Sequence, residues 1–413
     1  MTKTTTPARA LKPLVLFYAI LSISYWTIFL ATGEGDEDLM ALYLDEAKVR
    51  GFYWLIQSGN FSVPFSFIVY PLSLIFPSYL ALRISSLAGT ILLYFYLNRR
   101  LNFKSQSFNN HILFYLFSGS FLLGTNDNLL FCLLTVFSTE VYLVLAKRQE
   151  RIPRYAIVCM VTSLFTRQMA IIYFPVILAG LILVYFRKRI LWKEYQAVLV
   201  SALFWFGLNL PSIQQSGLIS FDNKDTKNQK GMSWVQRQYL SQLYANEGKL
   251  PEFSHVTWEE TYEYLEENGK ESLPKTSLDA IFFDPSLTFN EFVKDFAYMI
   301  YAGFRQCGLG VFFPALGIWI FIKFGNTGAG YMGGAQLFLM LAISFLIISY
   351  IEIRWLAPVF IMGVVGLEDA IRSKQAPSYL DISNQLILLA LGLYGSWRYV
   401  SLIRDTQMFQ SMI

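Results

Sequence analysis

Long apolar runs recur along this chain, and three of them end on a cluster of lysines and arginines. A helix needs roughly 20 apolar residues, or about 17 at the short end, to cross the hydrocarbon of a bilayer. Apolar runs that read as spans or as the cores of spans lie at 14–31, 79–97, 111–124, 128–146, 155–185, 197–210, 311–324, 335–350, 356–367 and 386–394. The 155–185 run is interrupted by Thr166-Arg167-Gln168, which predicts two short helices joined there and brings the count to about eleven spans. The first run follows Lys3, Arg9 and Lys12 and is not followed by a small-residue cleavage site, so it reads as a retained signal-anchor.

Composition excludes the soluble alternative. The chain is 54% hydrophobic and 15% charged, where a soluble domain is about a quarter charged. Aromatic residues make up 17%, which suits rings at the lipid face and interface. The three cysteines, Cys132, Cys159 and Cys307, all sit in apolar stretches, an odd set that argues against a disulfide framework. With only two histidines, His111 and His255, a histidine-rich metal centre is excluded. The expected fold class is therefore all-α: a polytopic transmembrane helical bundle carrying a helical extracytoplasmic loop domain.

Charge placement sets the orientation. With the N-terminus in the cytoplasm, 17 Lys and Arg fall on the cytoplasmic segments, against Lys48, Arg50, Arg167 and Arg354 on the short outer loops. Basic residues favour the cytoplasmic side. The outer face then carries an acidic stretch (Glu34, Asp36, Glu37, Asp38, Asp45, Glu46), the span tips at Asp127, Arg167 and Glu352/Arg354, and a long segment at 214–290. That segment holds 12 acidic and 7 basic residues, too long for a plain connector, and Thr257-Trp-Glu-Glu260 opens one of its helices with a capping-box pattern. The domains expected are an N-terminal module at 1–213 including an outer acidic loop at 32–78, an outer domain at 214–290, and a C-terminal module at 291–413.

Two kinds of residue on that face carry chemistry. An acidic run at a span end serves either as a solvated, orienting face or as a general base at the membrane surface. Asp36 is the carboxylate chosen as base, with Glu37 or Asp38 positioning it or holding a divalent cation (Mg or Mn) through oxygen ligands. Arg83, Asp127, Arg167, Gln168, Glu352 and Arg354 lie at or near membrane depth, where ionisable and polar groups are expensive and a role is the first hypothesis. Arginines suit a phosphate, because the planar guanidinium gives charge-assisted, forked hydrogen bonds. A carboxylate base beside several arginines fits transfer from a lipid phosphate. The apolar run with Pro64 and Pro71 is short and proline-broken, which predicts an interfacial or re-entrant piece.

The order of these features resembles the GT-C superfamily of polyprenyl-phosphate-sugar glycosyltransferases. The resemblance is carried by Asp36-Glu37, Pro71-Leu72, Arg83-Ile84-Ser85-Ser86, Asn98-Arg99-Arg100, Asp127, Thr166-Arg167 and Glu352-Ile353-Arg354-Trp355-Leu356-Ala357-Pro358. The phrases LFTRQMAIIY and EIRWLAP are similar to the dolichyl-phosphate-glucose branch; dolichyl-phosphate-mannose, aminoarabinose-transferase and protein-mannosyltransferase branches share the general plan. The spacing after Asp36-Glu37 departs from the family pattern, which keeps Asp45-Glu46 open as the alternative anchor. The resemblance implies an inverting transfer of a sugar from a polyprenyl-phosphate donor to a hydroxyl on a glycan, lipid or protein acceptor. Asp36 and Glu37 would be catalytic; Arg83, Asp127, Arg167, Gln168, Glu352 and Arg354 would bind substrate. The membrane would be a bacterial inner membrane with the site facing outward, or that of the ER with the site facing the lumen. Membrane lipids are the other expected partners; nothing in the sequence calls for nucleic acid. Two other readings use the same residues: a lipid-linked-glycan ligase or polymerase, for which His255 lies in a suitable outer loop, and a secondary transporter.

Overall fold

In hydrocarbon, backbone N–H and C=O groups must be satisfied within the protein, so a multi-span chain is helical or a closed barrel. The computed structural model of this protein describes residues 6–31, 35–187, 192–221, 231–251 and 254–406, and among these every regular element is a helix. Lys3, Glu34, Lys188 and Arg189 lie outside the described residues. The elements are α1 (Thr6–Ser24), α2 (Asp36–Arg50), α3 (Phe52–Gln57), α4 (Val63–Ser73), α5 (Ser78–Leu101) and α6 (Gln106–Leu116). They continue with α7 (Asn126–Leu145), α8 (Arg154–Leu164), α9 (Ala170–Phe186) and α10 (Trp192–Ser216). After these come α11 (Trp234–Asn246), α12 (Trp258–Asn268), α13 (Ser277–Phe283), α14 (Pro285–Cys307), α15 (Phe313–Phe324), α16 (Thr327–Ser344), α17 (Ala357–Arg372) and α18 (Tyr379–Arg404).

Among the described residues, six helical stretches are long and apolar enough to cross a membrane: Ala8–Phe29, Ser78–Leu101, Asn126–Leu145, Lys193–Ser216, Pro285–Phe324 and Tyr379–Arg404. Three shorter apolar helices, α4, α8 and α9, accompany them. The protein is thus a multi-pass membrane protein. Burial separates its helices by depth in the bundle. The α7 window is 78% buried, whereas those of α10 and α18 are 17% and 22% buried. Leu203 and Phe204 on α10, and Leu393 and Trp397 on α18, are exposed apolar side chains. In a soluble protein such faces would be a liability; here they are the lipid boundary. Helix α7 packs against α5, α8, α9, α16 and α17, around which the main apolar core is built.

Small residues allow the closest approaches. Helices α15 and α16 meet at Gly317 and Gly333, where a side-chain carbon on either would come within 3.1 Å of the facing glycine. Such small-residue contacts are how helices pack where no water drives association. The interrupted run at 155–185 is two helices, α8 and α9, with the break at 165–169.

Two regions expected on the outer face are more ordered than loops. The stretch expected as an acidic loop at 32–78 is largely three helices, α2 to α4, closed over a small core of Met40, Leu44, Leu55, Phe61, Phe65 and Val69. The Pro64–Pro71 run is α4, with Pro64 in its first turn, where a missing N–H costs nothing. The outer segment folds as α11 to α13 with the start of α14, and capping boxes close the N-termini of α11, α12 and α13. The Thr257 box is formed as the sequence predicts, Thr257 Oγ1 accepting from the Glu260 N–H at 3.1 Å. Helix α14 runs without a break from this outer segment to Cys307.

Candidate functional site

Four helix starts and breaks deliver charged side chains to one place. Gly35, at φ 78°, adopts the left-handed backbone that glycine tolerates and turns the chain into α2, so Asp36 is the first residue of that helix. Asp127 lies in the first turn of α7. A helix N-terminus carries partial positive charge, so both carboxylates are placed where the backbone favours them. Arg167 sits at the break between α8 and α9. Arg354 stands on a one-turn 3₁₀ segment, Ile353–Leu356, which leads into α17 with Pro358 in the first turn. Backbone carbonyls just after Arg354 are held: the Tyr173 hydroxyl donates to the Trp355 carbonyl, and the Tyr115 hydroxyl to the Ala357 carbonyl at 2.7 Å.

The side chains then close a network. Arg354 Nη2 donates to Asp36 Oδ2 at 2.9 Å. Its Nε stands 3.0 Å from Asp127 Oδ2, and Glu352 Oε2 pairs with the same guanidinium. Arg167 pairs with Asp127 Oδ1 through Nη1 and lies 3.9 Å from Asp36 Oδ2 through Nη2. Arg167 Nη1 also donates to Asn126 Oδ1 at 3.3 Å, while Asn126 Nδ2 donates to the Thr166 carbonyl at 3.1 Å. Arg354 and Asp127 are the most enclosed members, with side chains 7% and 6% exposed; Asp36 and Glu352 form the more open rim at 14% and 23%.

Five of the eight expected residues come together: Asp36, Asp127, Arg167, Glu352 and Arg354. Glu37 and Arg83 instead form a second, closed pair. Arg83 grips Glu37 through Nε at 3.0 Å and Nη2 at 2.6 Å, and Glu37 Oε1 also accepts the Gly124 N–H at 2.9 Å. Arg83 spends its remaining donors on the Leu30 and Ala31 carbonyls at the end of the first span. Glu37 therefore anchors α2 to α5, and neither residue faces the cluster chemistry. Gln168 is exposed and lies outside this side-chain network. The alternative carboxylates also go elsewhere: Asp38 accepts from Tyr79, and Asp45 accepts from Ser78 Oγ at 2.7 Å and Lys48 at 2.8 Å. Asp36 is the carboxylate of this helix turn that the structure places against Arg354 and Arg167.

Three carboxylates around two guanidiniums, all largely removed from water, are costly to hold. Burial pushes the Glu352 carboxyl above its ordinary range, with Arg354 pulling the other way. Several buried atoms of the cluster lack a well-directed hydrogen bond: Asp127 Oδ1 and Arg354 Nε, which make only ion contacts, and Arg354 Nη1. Buried polar groups are nearly always satisfied, so such atoms call for an explanation. An anion entering from the rim would supply acceptors for the Arg354 donors. A cation is less well served. Guanidiniums already bridge the carboxylates, and no group of three His, Cys, Asp or Glu side chains able to hold a metal occurs among the described residues.

Asn126, Tyr115 and Tyr173 were not singled out from sequence. Asn126 lies in the polar GTNDN stretch, which was a usable signal; the tyrosines sit within apolar runs and gave none. The histidines stand apart from the cluster. Asn384 Oδ1 accepts from the Leu309 N–H at 2.8 Å, so its Nδ2 donates to His111 Nδ1 and the other ring nitrogen of His111 donates to the Cys307 carbonyl at 2.8 Å. That arrangement requires neutral imidazole in a purely structural bridge. His255 of the outer segment meets Ser349 Oγ at 2.7 Å and stacks on Tyr350 at 4.7 Å, tying the outer domain to the strip that carries Glu352 and Arg354. No known protein family, characterised protein or solved structure matches this chain.

Proposed function

We propose that this protein is an inverting glycosyltransferase that moves a sugar from a polyprenyl-phosphate donor to a hydroxyl acceptor at the membrane face bearing Asp36. The reading is supported above all by one observation: Asp36 lies 2.9 Å from Arg354 and 3.9 Å from Arg167, whereas Glu37 beside it is taken up by Arg83. A base on the open rim and two phosphate-binding groups thus share one cluster. Arg354 and Arg167 bind the donor phosphate, exchanging internal carboxylates for phosphate oxygens. Asp36, released from Arg354 by that exchange, accepts the proton of the acceptor hydroxyl. The oxygen attacks the anomeric carbon from the side opposite the phosphate, the carbon–oxygen bond to phosphate breaks, and the polyprenyl phosphate leaves with the electron pair. Its charge is met by the two guanidiniums, the electrostatic stabilisation that usually dominates such steps. Phosphate is a good leaving group, so one carboxylate suffices. The outer domain, joined to this strip through His255 and Ser349, shapes acceptor access.

The resemblance of Asp36-Glu37, Thr166-Arg167 and the Glu352–Pro358 stretch to the GT-C superfamily supports the same reading. The site would then face outward from a bacterial inner membrane or into the ER lumen. The test is thermal unfolding of purified full-length protein in nanodiscs with a panel of polyprenyl-phosphate sugars. A ligand that binds only the folded state raises the melting temperature by mass action. Stabilisation by one sugar lipid, lost in Arg354→Ala, supports the proposal and identifies the donor. A well-folded sample that no sugar lipid stabilises sinks it.

A further inference from the structure

A separate cavity of about 400 Å³ lies in the membrane-embedded part of the bundle, between α9, α15 and α16. That volume falls within the range of small-molecule sites. Its walls are apolar: Pro175, Val176 and Leu183 from α9, Ile318 and Phe321 from α15, and Phe338 from α16. Pro175, Phe321 and Phe338 are exposed, so the cavity opens on the lipid side. The charge cluster begins at the opposite end of α9, at Arg167. The cavity runs the other way, towards Leu183 and Thr327.

At that far end the chemistry changes. A polar recess is lined by Lys147, Arg148, Gln149, Glu150 and Arg187. Arg148 is occupied by Asp369, leaving Lys147 and Arg187 as the cations that face Glu150 in the lining. The two spaces adjoin. Arg187 Nη2 donates to Thr327 Oγ1 at 2.7 Å, and Thr327 lines the apolar cavity. A side-chain carbon on Gly328 would come within 3.1 Å of the Ala146 backbone nitrogen, so the start of α16 abuts the turn that carries Lys147. Thr327 is also the first residue of an 18-residue helix, whose N-terminus favours negative charge.

We propose that this crevice binds one anionic phospholipid. An acyl chain fills the apolar cavity, and the headgroup phosphate sits between Lys147, Arg187 and the N-terminus of α16. Charge complementarity selects the occupant: an apolar slot of this length alone would take any chain, but its basic end favours a net negative headgroup. Basic recesses between membrane helices are known to recognise anionic headgroups. The site is remote from Asp36 and does not depend on the transferase reading.

Gly334 offers a clean test. It lines the cavity, and a side-chain carbon built on it meets nothing within 4 Å, so Gly334→Leu fills the slot without disturbing the helix contacts. Delipidated full-length protein in detergent is titrated with dioleoyl-phosphatidylglycerol or dioleoyl-phosphatidylcholine, and bound lipid is counted by native mass spectrometry. Phosphatidylglycerol should be retained in preference to phosphatidylcholine. Lys147→Ala and Arg187→Ala should each weaken phosphatidylglycerol binding about fivefold. Gly334→Leu should abolish it with the lipid-free melting temperature unchanged. Equal retention of the two lipids, or full phosphatidylglycerol occupancy in Gly334→Leu, overturns the assignment.

Discussion

Two buried ionic networks in this protein are built from the same residue types and differ in how completely they are closed. In one, Glu140 on α7 is fully buried and meets Arg100 Nε at 2.5 Å, Arg100 Nη2 at 2.8 Å, and the hydroxyls of Tyr96 and Tyr155 at 2.6 and 2.5 Å. Both oxygens of the Glu140 carboxylate are met by donors, and the pair ties α5 to α7. In the other, Arg354 and Asp127 are almost as buried, yet three of their atoms make no well-directed hydrogen bond. The first network leaves Arg100 partly in water at 36% exposure, whereas Arg354 in the second is 7% exposed and still incompletely bonded. A closed network is best explained by the helices it joins, and an open one by a ligand that completes it. The Glu37–Arg83 pair belongs with the first kind, although it lies next to the second.

That contrast is most sharply broken by chemistry at the rim. If Asp36 is the base, Asp36→Asn should lower transfer by about 10²–10⁴-fold with an unchanged melting temperature, measured with the donor that stabilises the wild type. Arg354→Ala should cost about 10²–10³-fold in rate. A fully active Asp36→Asn protein would move the base to another carboxylate. The closed pairs should respond in the opposite sense. Glu37→Ala strands the buried Arg83 guanidinium and should cost about 3–5 kcal/mol of stability, seen in thermal or denaturant unfolding. The surviving folded protein should keep its donor-induced stabilisation. Loss of that stabilisation with the fold intact would place Glu37 in the open network after all. Tyr155→Phe removes one of several donors to Glu140 and should cost about 1 kcal/mol, with no effect on ligand.

The smallest effect expected is a pH slope. Burial raises the Glu352 carboxyl from its ordinary value of 4.5, so the folded protein binds that proton more tightly than the unfolded chain. The favourable contribution is present in full below 4.5 and is lost as pH rises through the folded value. Comparing melting temperature against pH for wild type and Glu352→Gln should show the wild type losing stability relative to the variant as pH rises above 4.5. Parallel curves would mean that Arg354 offsets the burial completely.

The membrane class of the fold was legible in the sequence because hydropathy acts on each segment separately. The break at Thr166–Gln168 was legible for the same reason: polar and ionisable side chains interrupt an apolar run. The helices α2 to α4 were not, since their apolar residues pay for burial only by meeting one another and leave no 20-residue run to see. Within the site, clustering at span ends identified Asp127, Arg167, Glu352 and Arg354. It also drew in Gln168, which shares their position in sequence but is exposed.

By itself, then, the sequence determined a helical chain that must lie in a membrane, where its helices break, and which ionisable residues sit near span ends. Those are consequences of local composition and of the cost of placing polar groups in hydrocarbon. Only the tertiary structure decided which partner each charge meets. Asp36, Glu37 and Asp38 are consecutive in one helical turn, where successive side chains point about 100° apart. Each therefore faces a different neighbour: Arg354 for Asp36, Arg83 for Glu37, Tyr79 for Asp38. Neighbours in sequence were separated by helix geometry, and residues 318 positions apart were joined by packing.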